Sequence, residues 1–149
     1  MGYHTVSEAA RTLIDNEMKK GRALQEIRKN EAEFQRKVLE IKIQIEKELP
    51  KNKIVFFDRG IPDSIAYFQI YNLNPEGVLK FCKEKTYRKI FLLEQLPFVK
   101  DYAKVEDTET AKKLQFLLRK AYSDLEYEVI DIPFMPVKDR LKIILSNID

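Results

Sequence analysis

The chain has 149 residues, enough for one domain with a single buried core, and 44% of its residues are apolar. Its 27 basic and 24 acidic residues are interleaved without a sustained basic run, so the formal net charge of +3 does not predict binding to nucleic acid or to a membrane surface. The single cysteine, Cys82, excludes an intramolecular disulfide, and no apolar run reaches the ~20 residues of a membrane span, so we expect a cytoplasmic protein.

Four short segments are predicted to be strands, and the clearer ones are apolar throughout instead of alternating. Residues 54–57 (IVFF) and 90–93 (IFLL) consist of β-branched, aromatic and leucine residues. This composition is typical of strands that helices cover on both faces of a parallel sheet. The predicted strands span residues 3–7, 53–57, 89–93 and 128–132.

Helical stretches alternate with these strands and are predicted at residues 8–20, 22–49, 63–71, 75–83, 108–125 and 137–148. The alternation predicts an α/β domain, a three-layer sandwich with a mostly parallel sheet. The longest stretch carries an apolar stripe at helical spacing, formed by Phe34, Val38, Ile41, Ile45 and Leu49. We interpret this stripe as a surface that packs on the sheet, with a coiled-coil seam as the alternative.

Asp58, Arg59 and Gly60 follow directly after the second predicted strand. In parallel α/β sheets the ligand crevice lies outside the carboxyl ends of the strands. A carboxylate there can hold Mg²⁺, usually through water, and an arginine beside it can bind phosphate oxygens with its planar guanidinium. The alternative is structural: Asp58 caps the next helix and Arg59 pairs with a surface acid.

Glu8 occupies the same position after the first predicted strand, and Arg11 lies one helical turn further on. A carboxylate at this edge can take a proton from an attacking hydroxyl or help to hold a metal ion. Its structural alternative is an acid in the first turn of a helix, where the helix dipole favours negative charge.

The order of these motifs along the chain resembles one family over residues 3–145. The motifs are EAAR at 8–11, DRGIPDSIAY at 58–67, LLE at 92–94 and YEVIDIP at 127–133. They resemble the nucleotide-kinase-like AAA-type ATPase domains of the P-loop NTPases, which are related in design to deoxynucleoside and thymidylate kinases. The resemblance implies an ATP-dependent phosphotransferase or ATPase acting on a small molecule or nucleotide, with ATP and Mg²⁺ as cofactors.

The resemblance also implies roles for individual residues. Asp58 takes the place of the metal-associated acid and contacts Mg²⁺ through water, Arg59 takes that of a phosphate arginine, and Glu8 that of a catalytic carboxylate. Residues 101–106 (DYAKVE) take the place of a lid loop, in which Lys104 replaces the arginine that the family often has. The substrate-binding candidates are Arg11, Lys104 and Tyr67; an aromatic residue such as Tyr67 can stack a base or belong to the core.

The chain departs from the family at its start. Such domains open with a strand and a Gly-x-x-x-x-Gly-Lys-Ser/Thr loop that holds the phosphates of ATP, and none of the four glycines at 2, 21, 60 and 77 begins that pattern. We therefore expect weak or no ATP binding. The truncation of an active parent, a partner-binding remnant and a self-sufficient activity all remain open. The absent strand would lie between the second and third predicted strands, and we expect the exposed edges to favour a homo-oligomer.

Overall fold

The computed structural model describes residues 2–96 and 107–148, which form an α/β fold. Strands and helices alternate along much of the chain, as predicted. The strands are β1 (His4–Val6), β2 (Val55–Phe57), β3 (Ile90–Leu93) and β4 (Val129–Ile132). The helices are α1 (Ala9–Lys19), α2 (Leu24–Ile27), α3 (Glu31–Glu48), α4 (Asp63–Ile70), α5 (Glu76–Leu79), α6 (Thr108–Asp124) and α7 (Val137–Ser146).

All strand pairing among the described residues is parallel, and it is divided between two short sheets. β1 pairs with β2, with Val6 opposite Phe57, and β3 pairs with β4, with Leu93 opposite Ile132. The prediction of parallel pairing in an α/β domain is therefore confirmed. Within residues 2–96 and 107–148, β2 and β3 do not hydrogen-bond to each other.

The predicted helix over residues 22–49 is wrong, because two helices occupy this stretch. α2 ends at Ile27, and α3 begins at Glu31 after the N-cap residue Asn30. The Asn30 side chain accepts a hydrogen bond from the backbone N–H of Glu33 at 3.1 Å, which satisfies one of the free amides at the start of α3. The apolar periodicity continues across this break and conceals it.

The predicted stripe on α3 is fully buried only at its first two residues, Phe34 and Val38. Phe34 and Val38 are buried in one apolar cluster with residues of α1 and α2, whereas Ile41 and Ile45 are only partly buried. The buried face of α3 instead consists of Phe34, Gln35, Val38, Leu39 and Lys42. Two polar side chains therefore lie on the buried face of α3, beside the predicted apolar stripe.

Helix α4 is the centre of the fold and packs against α3, α5 and α6. Its residues Ile65 and Phe68 join a cluster that includes Leu39 of α3 and Ala121 of α6, and Ala66 is fully buried. Because α4 begins six residues after the end of β2, this packing fixes the turn that carries the predicted site residues. No helix in the described part of the chain is both long enough and apolar enough to cross a membrane.

Candidate functional site

The parallel pairing of β1 and β2 brings their carboxyl ends to the same edge of the sheet. Glu8 follows β1, and Asp58 and Arg59 follow β2. The backbone N–H of Asp58 extends the ladder by one more bond, donating to the carbonyl of Val6 at 3.0 Å. Two motifs that are fifty residues apart in the sequence therefore meet at one edge of the sheet, and we call this edge, with Glu8, Asp58 and Arg59, the rim.

Arg59 lies between two carboxylates at this rim. Its Nε is 3.3 Å from Oε1 of Glu8, and its Nη1 is 3.5 Å from Oδ1 of Asp63. The guanidinium carbon also lies 5.3 Å from the ring centroid of Tyr67, in cation–π geometry. Burial works against the charge on Arg59, but Tyr67, Asp63 and the nearby acids outweigh it, so its pKa is raised and the side chain stays cationic.

The turn after β2 holds Arg59 in an uncommon backbone conformation. Its φ of 71° lies in the left-handed region, where a residue with a side chain is strained by about 1–2 kcal/mol. Gly60, the next residue in this turn, is required for its lack of a side chain. A Cβ on Gly60 would lie 2.8 Å from the Tyr87 ring and 3.1 Å from the Tyr122 hydroxyl, so the absence of a side chain permits this packing.

Asp63 is the residue that ties this turn to the rest of the fold. Its Oδ2 accepts a hydrogen bond from the backbone N–H of Gly60 at 3.0 Å and another from the hydroxyl of Tyr122 in α6. The side chain is 8% exposed, so these bonds are made away from bulk water. Since the same carboxylate also faces Arg59, Asp63 fixes both the backbone and the guanidinium of the site.

Lys42 lies beneath the same turn and is buried. Its Nζ donates a hydrogen bond to Oγ of Ser64, at 3.0 Å. Burial lowers the pKa of Lys42 from 10.5 to about 8, with Arg59 acting in the same direction and Asp63 opposing them. At neutral pH Lys42 is therefore mostly cationic, although its protonated form is stabilised much less than that of an exposed lysine.

A cavity of about 260 Å³ opens beside these groups, between α1, α3, α6 and the end of β3. Glu8, Arg59 and Lys42 line it together with the predicted substrate residues Arg11 and Tyr67. The exposed Asp58 is not part of its lining. Lys104 and the predicted lid loop at 101–106 lie outside the described residues. The structure thus brings Glu8, Arg11, Arg59 and Tyr67 to one cavity, and the catalytic roles remain predictions.

A protein-family profile described as an AAA domain matches residues 1–140. The chain belongs to this AAA domain family. The match covers most of the chain, and it confirms the resemblance to AAA-type, P-loop NTPase-like domains. Nucleotide binding and ATPase-like function therefore hold for the chain at the level of its family. Neither the curated proteins nor the solved structures contain a match to it.

AAA-type domains in general bind nucleotide with Mg²⁺, and the rim of this AAA domain fits only part of that chemistry. No three histidine, cysteine or acidic side chains of the described residues are grouped closely enough to hold a metal ion. Mg²⁺ commonly keeps several waters and takes one or two carboxylates plus phosphate oxygens. The Glu8 and Asp63 carboxylates both face Arg59, and the water-mediated contact of Asp58 with Mg²⁺ stays a prediction. None of the four glycines of the sequence begins the Gly-x-x-x-x-Gly-Lys-Ser/Thr pattern.

The sequence reasoning missed three residues of the site: Gln35, Lys42 and Asp63. Gln35 and Lys42 are seven residues apart, two helical turns, and they share a face with Val38 and Leu39. Polar residues at apolar positions of an amphipathic helix are a usable signal for a site. Asp63 offers a weaker signal, because an acid in the first turn of a helix is common for electrostatic reasons alone.

Proposed function

We propose that this AAA domain takes part in ATP-dependent phosphoryl transfer or hydrolysis, and that this chain supplies the side of the site that receives a small molecule or nucleotide. The observation that carries the proposal is the shared cavity: Glu8 and Arg59 lie 3.3 Å apart at the carboxyl ends of paired parallel strands, next to a space large enough for a small ligand. In this proposal Glu8 acts on the acceptor hydroxyl, and Arg59 stabilises phosphate charge.

Glu8 is placed to act on an acceptor hydroxyl. It lines the cavity and is only partly buried, so its carboxylate is accessible to a ligand. A general base must lie within hydrogen-bond reach of the proton that it removes. An acceptor bound in the cavity with its hydroxyl towards the rim meets this requirement, and Glu8 takes the proton as the hydroxyl attacks.

Arg59 is placed to stabilise phosphate charge. Its guanidinium forms ion pairs with the carboxylates of Glu8 and Asp63. Its backbone is fixed by the turn that the hydrogen bond from Gly60 N–H to Asp63 closes. Phosphoryl transfer depends mainly on positioning and on electrostatic stabilisation of the equatorial oxygens, which a rigid guanidinium provides. Bound Mg²⁺ would neutralise phosphate charge, with Asp58 contacting its waters.

The same proposal includes a three-layer sheet arrangement that lacks its central strand. The gap in hydrogen bonding between β2 and β3 is what a parallel sheet without its central strand would leave, which supports a three-layer, nucleotide-kinase-like arrangement lacking that strand. Without a glycine-rich phosphate loop, the chain by itself binds ATP weakly and is nearly inactive, so slow turnover is expected only at millimolar Mg-ATP.

A second candidate function, a non-catalytic oligomerising module, is favoured by one surface. Helix α7 has no buried residues, and Val137 and Leu141 on this helix are 69% and 39% exposed. Phe134, just before the helix, is 59% exposed. Neighbouring exposed apolar side chains of this size commonly mark a protein–protein contact, and a second copy of the chain is the partner proposed for it.

One experiment separates these functions. Phosphoryl transfer from labelled ATP to nucleosides and to water is measured at millimolar Mg-ATP, a concentration that offsets weak binding. The catalytic proposal expects slow turnover that Glu8→Gln lowers about 100-fold or more, the scale of general-base catalysis. Glu40→Gln, at an exposed position of α3, is the matched control and leaves the rate unchanged. Turnover that Glu8→Gln does not affect refutes the role of Glu8, and a complete absence of turnover with an intact oligomer favours the module.

A further inference from the structure

The net positive charge of the chain lies in one segment, residues 80–89 (KFCKEKTYRK). This segment holds five of the 27 basic residues and one of the 24 acidic residues, which leaves 22 basic and 23 acidic residues in the rest of the chain. The net charge of the whole chain does not predict an anionic partner, whereas its concentration in one short segment does. The basic residues are Lys80, Lys83, Lys85, Arg88 and Lys89.

These five cations are exposed, and nearby acids do not neutralise them. None of them forms an ion pair with a carboxylate of residues 2–96 or 107–148. The lysines of helices are different, because several pair with an acid one turn away, as Lys37 does with Glu33 at 3.0 Å. The positive field of the segment is therefore available to a partner.

The segment is held against the fold at several points. Cys82 packs against the apolar cluster that contains Ile65 and Phe68 of α4. The backbone N–H of Thr86 donates a hydrogen bond to the hydroxyl of Tyr127 at 2.9 Å. Because these contacts fix the position of the segment, a partner that binds the cations does not have to order it first.

Two large apolar side chains are exposed beside the cations. Leu79 is 42% exposed and Phe81 is 44% exposed. Exposed apolar side chains next to several lysines and arginines are typical of surfaces that lie in the interface of a lipid bilayer. Charge and apolar exposure therefore point to the same class of partner.

We infer that residues 79–89 dock this protein on the surface of an anionic lipid bilayer. Leu79 and Phe81 enter the boundary between headgroups and acyl chains, and the five cations contact the anionic headgroups. The segment precedes the amino end of β3, whereas Leu93 at the carboxyl end of β3 lines the cavity. The docking surface is thus separate from the cavity, and the inference does not depend on the proposed function.

The same observations favour a bilayer over a nucleic acid. Proteins that bind single strands stack bases on aromatic faces. In this segment the Nζ of Lys80 lies over the Phe81 ring, 5.5 Å from its centroid, and covers one face. Leu79 offers no stacking face to a base, but it gains from leaving water for the acyl chains of a lipid.

Cosedimentation of the full chain with lipid vesicles tests the inference. The vesicles consist of phosphatidylcholine alone or of an equal mixture with phosphatidylserine. We expect binding to the mixed vesicles and little to the neutral ones, and the binding should weaken as NaCl is raised, because salt screens exposed charges. The double variant Lys83→Gln, Lys89→Gln should weaken binding to the mixed vesicles about tenfold or more. Phe81→Ala should weaken it about threefold or more, because less apolar surface enters the lipid.

The matched controls make the same changes on α6. The double variant Lys112→Gln, Lys113→Gln removes two exposed charges, and Phe116→Ala removes a ring that is 65% exposed; both should leave vesicle binding unchanged. Equal binding to both kinds of vesicle, no binding to the mixed vesicles, or equal losses in the two lysine pairs would overturn the inference. Binding to a single-stranded RNA oligonucleotide that the Lys83, Lys89 variant abolishes, without binding to vesicles, would overturn it in favour of a nucleic acid.

Discussion

Replacing Lys42 with methionine should make the protein more stable at neutral pH, and the gain should shrink as pH rises. Lys42 is buried, and its pKa falls from 10.5 in the unfolded chain to about 8 in the folded protein because burial disfavours the charge. Methionine is similar in length and has no charge to bury. The variant therefore removes a destabilising ionisation while keeping most of the apolar packing.

The direction follows from proton binding. Between pH 8 and 10.5 the unfolded chain holds a proton on Lys42 that the folded protein has lost, so the free energy of unfolding of the native protein rises with pH over this window. Below about pH 8 both states are protonated and the penalty is constant. A shift of 2.5 units corresponds to about 3 kcal/mol in full, of which about 2 kcal/mol is recovered between pH 7 and 9.5. The loss of the bond to Ser64 offsets about 1 kcal/mol of the gain at pH 7.

Urea unfolding of the native protein and of Lys42→Met at pH 7, 8.5 and 9.5 measures this difference. The stability advantage of the variant should fall by about 2 kcal/mol across the series. Lys47→Met, at an exposed position of the same helix, is the control and should show no such trend. A constant difference between native protein and Lys42→Met at all three pH values would refute the reasoning, because it would mean that Lys42 titrates as in the unfolded chain.

Three further outcomes are expected. Gly60→Ala should lower the free energy of unfolding by about 1–3 kcal/mol, because the added Cβ meets Tyr87 at 2.8 Å. Gly77→Ala should raise it by about 0.5–1 kcal/mol, because a Cβ there meets nothing within 4 Å. Equal effects of the two variants in urea unfolding would contradict this. Mg-ATP should bind the chain no tighter than high micromolar in calorimetry, and a low-micromolar constant would argue for a self-sufficient enzyme. Light scattering should report a homodimer or larger oligomer, and a stable monomer in dilute solution would remove the assembly proposal.

The strand-end residues could be predicted because their signal is local. The predicted strands at residues 3–7 and 53–57 are each followed directly by an acidic residue, and parallel pairing then places Glu8 near Arg59 by a general rule of α/β sheets. The break between α2 and α3 was equally local. Asn30 followed by Glu33 is a recognisable helix start, but the uninterrupted apolar spacing favoured one long helix.

The contacts that hold the turn could not be predicted, because they join distant parts of the chain. The bond between Asp63 and Tyr122 spans 59 positions, and the bond from the Ile61 N–H to the Tyr87 hydroxyl spans 26. No periodicity connects such pairs. Their geometry depends on how α4 and α6 pack, which is a property of the assembled core.

The polar residues on the buried face of α3 bear on both the stability of the fold and its proposed function. Gln35 and Lys42 are both buried on α3, and the burial of the Lys42 charge is destabilising. Both line the cavity that Glu8 and Arg59 also reach. Two independent departures from the apolar pattern, two helical turns apart and directed at one cavity, are what a binding site requires and a purely structural helix does not. Two buried polar side chains beside one cavity therefore support the proposal that a ligand binds there.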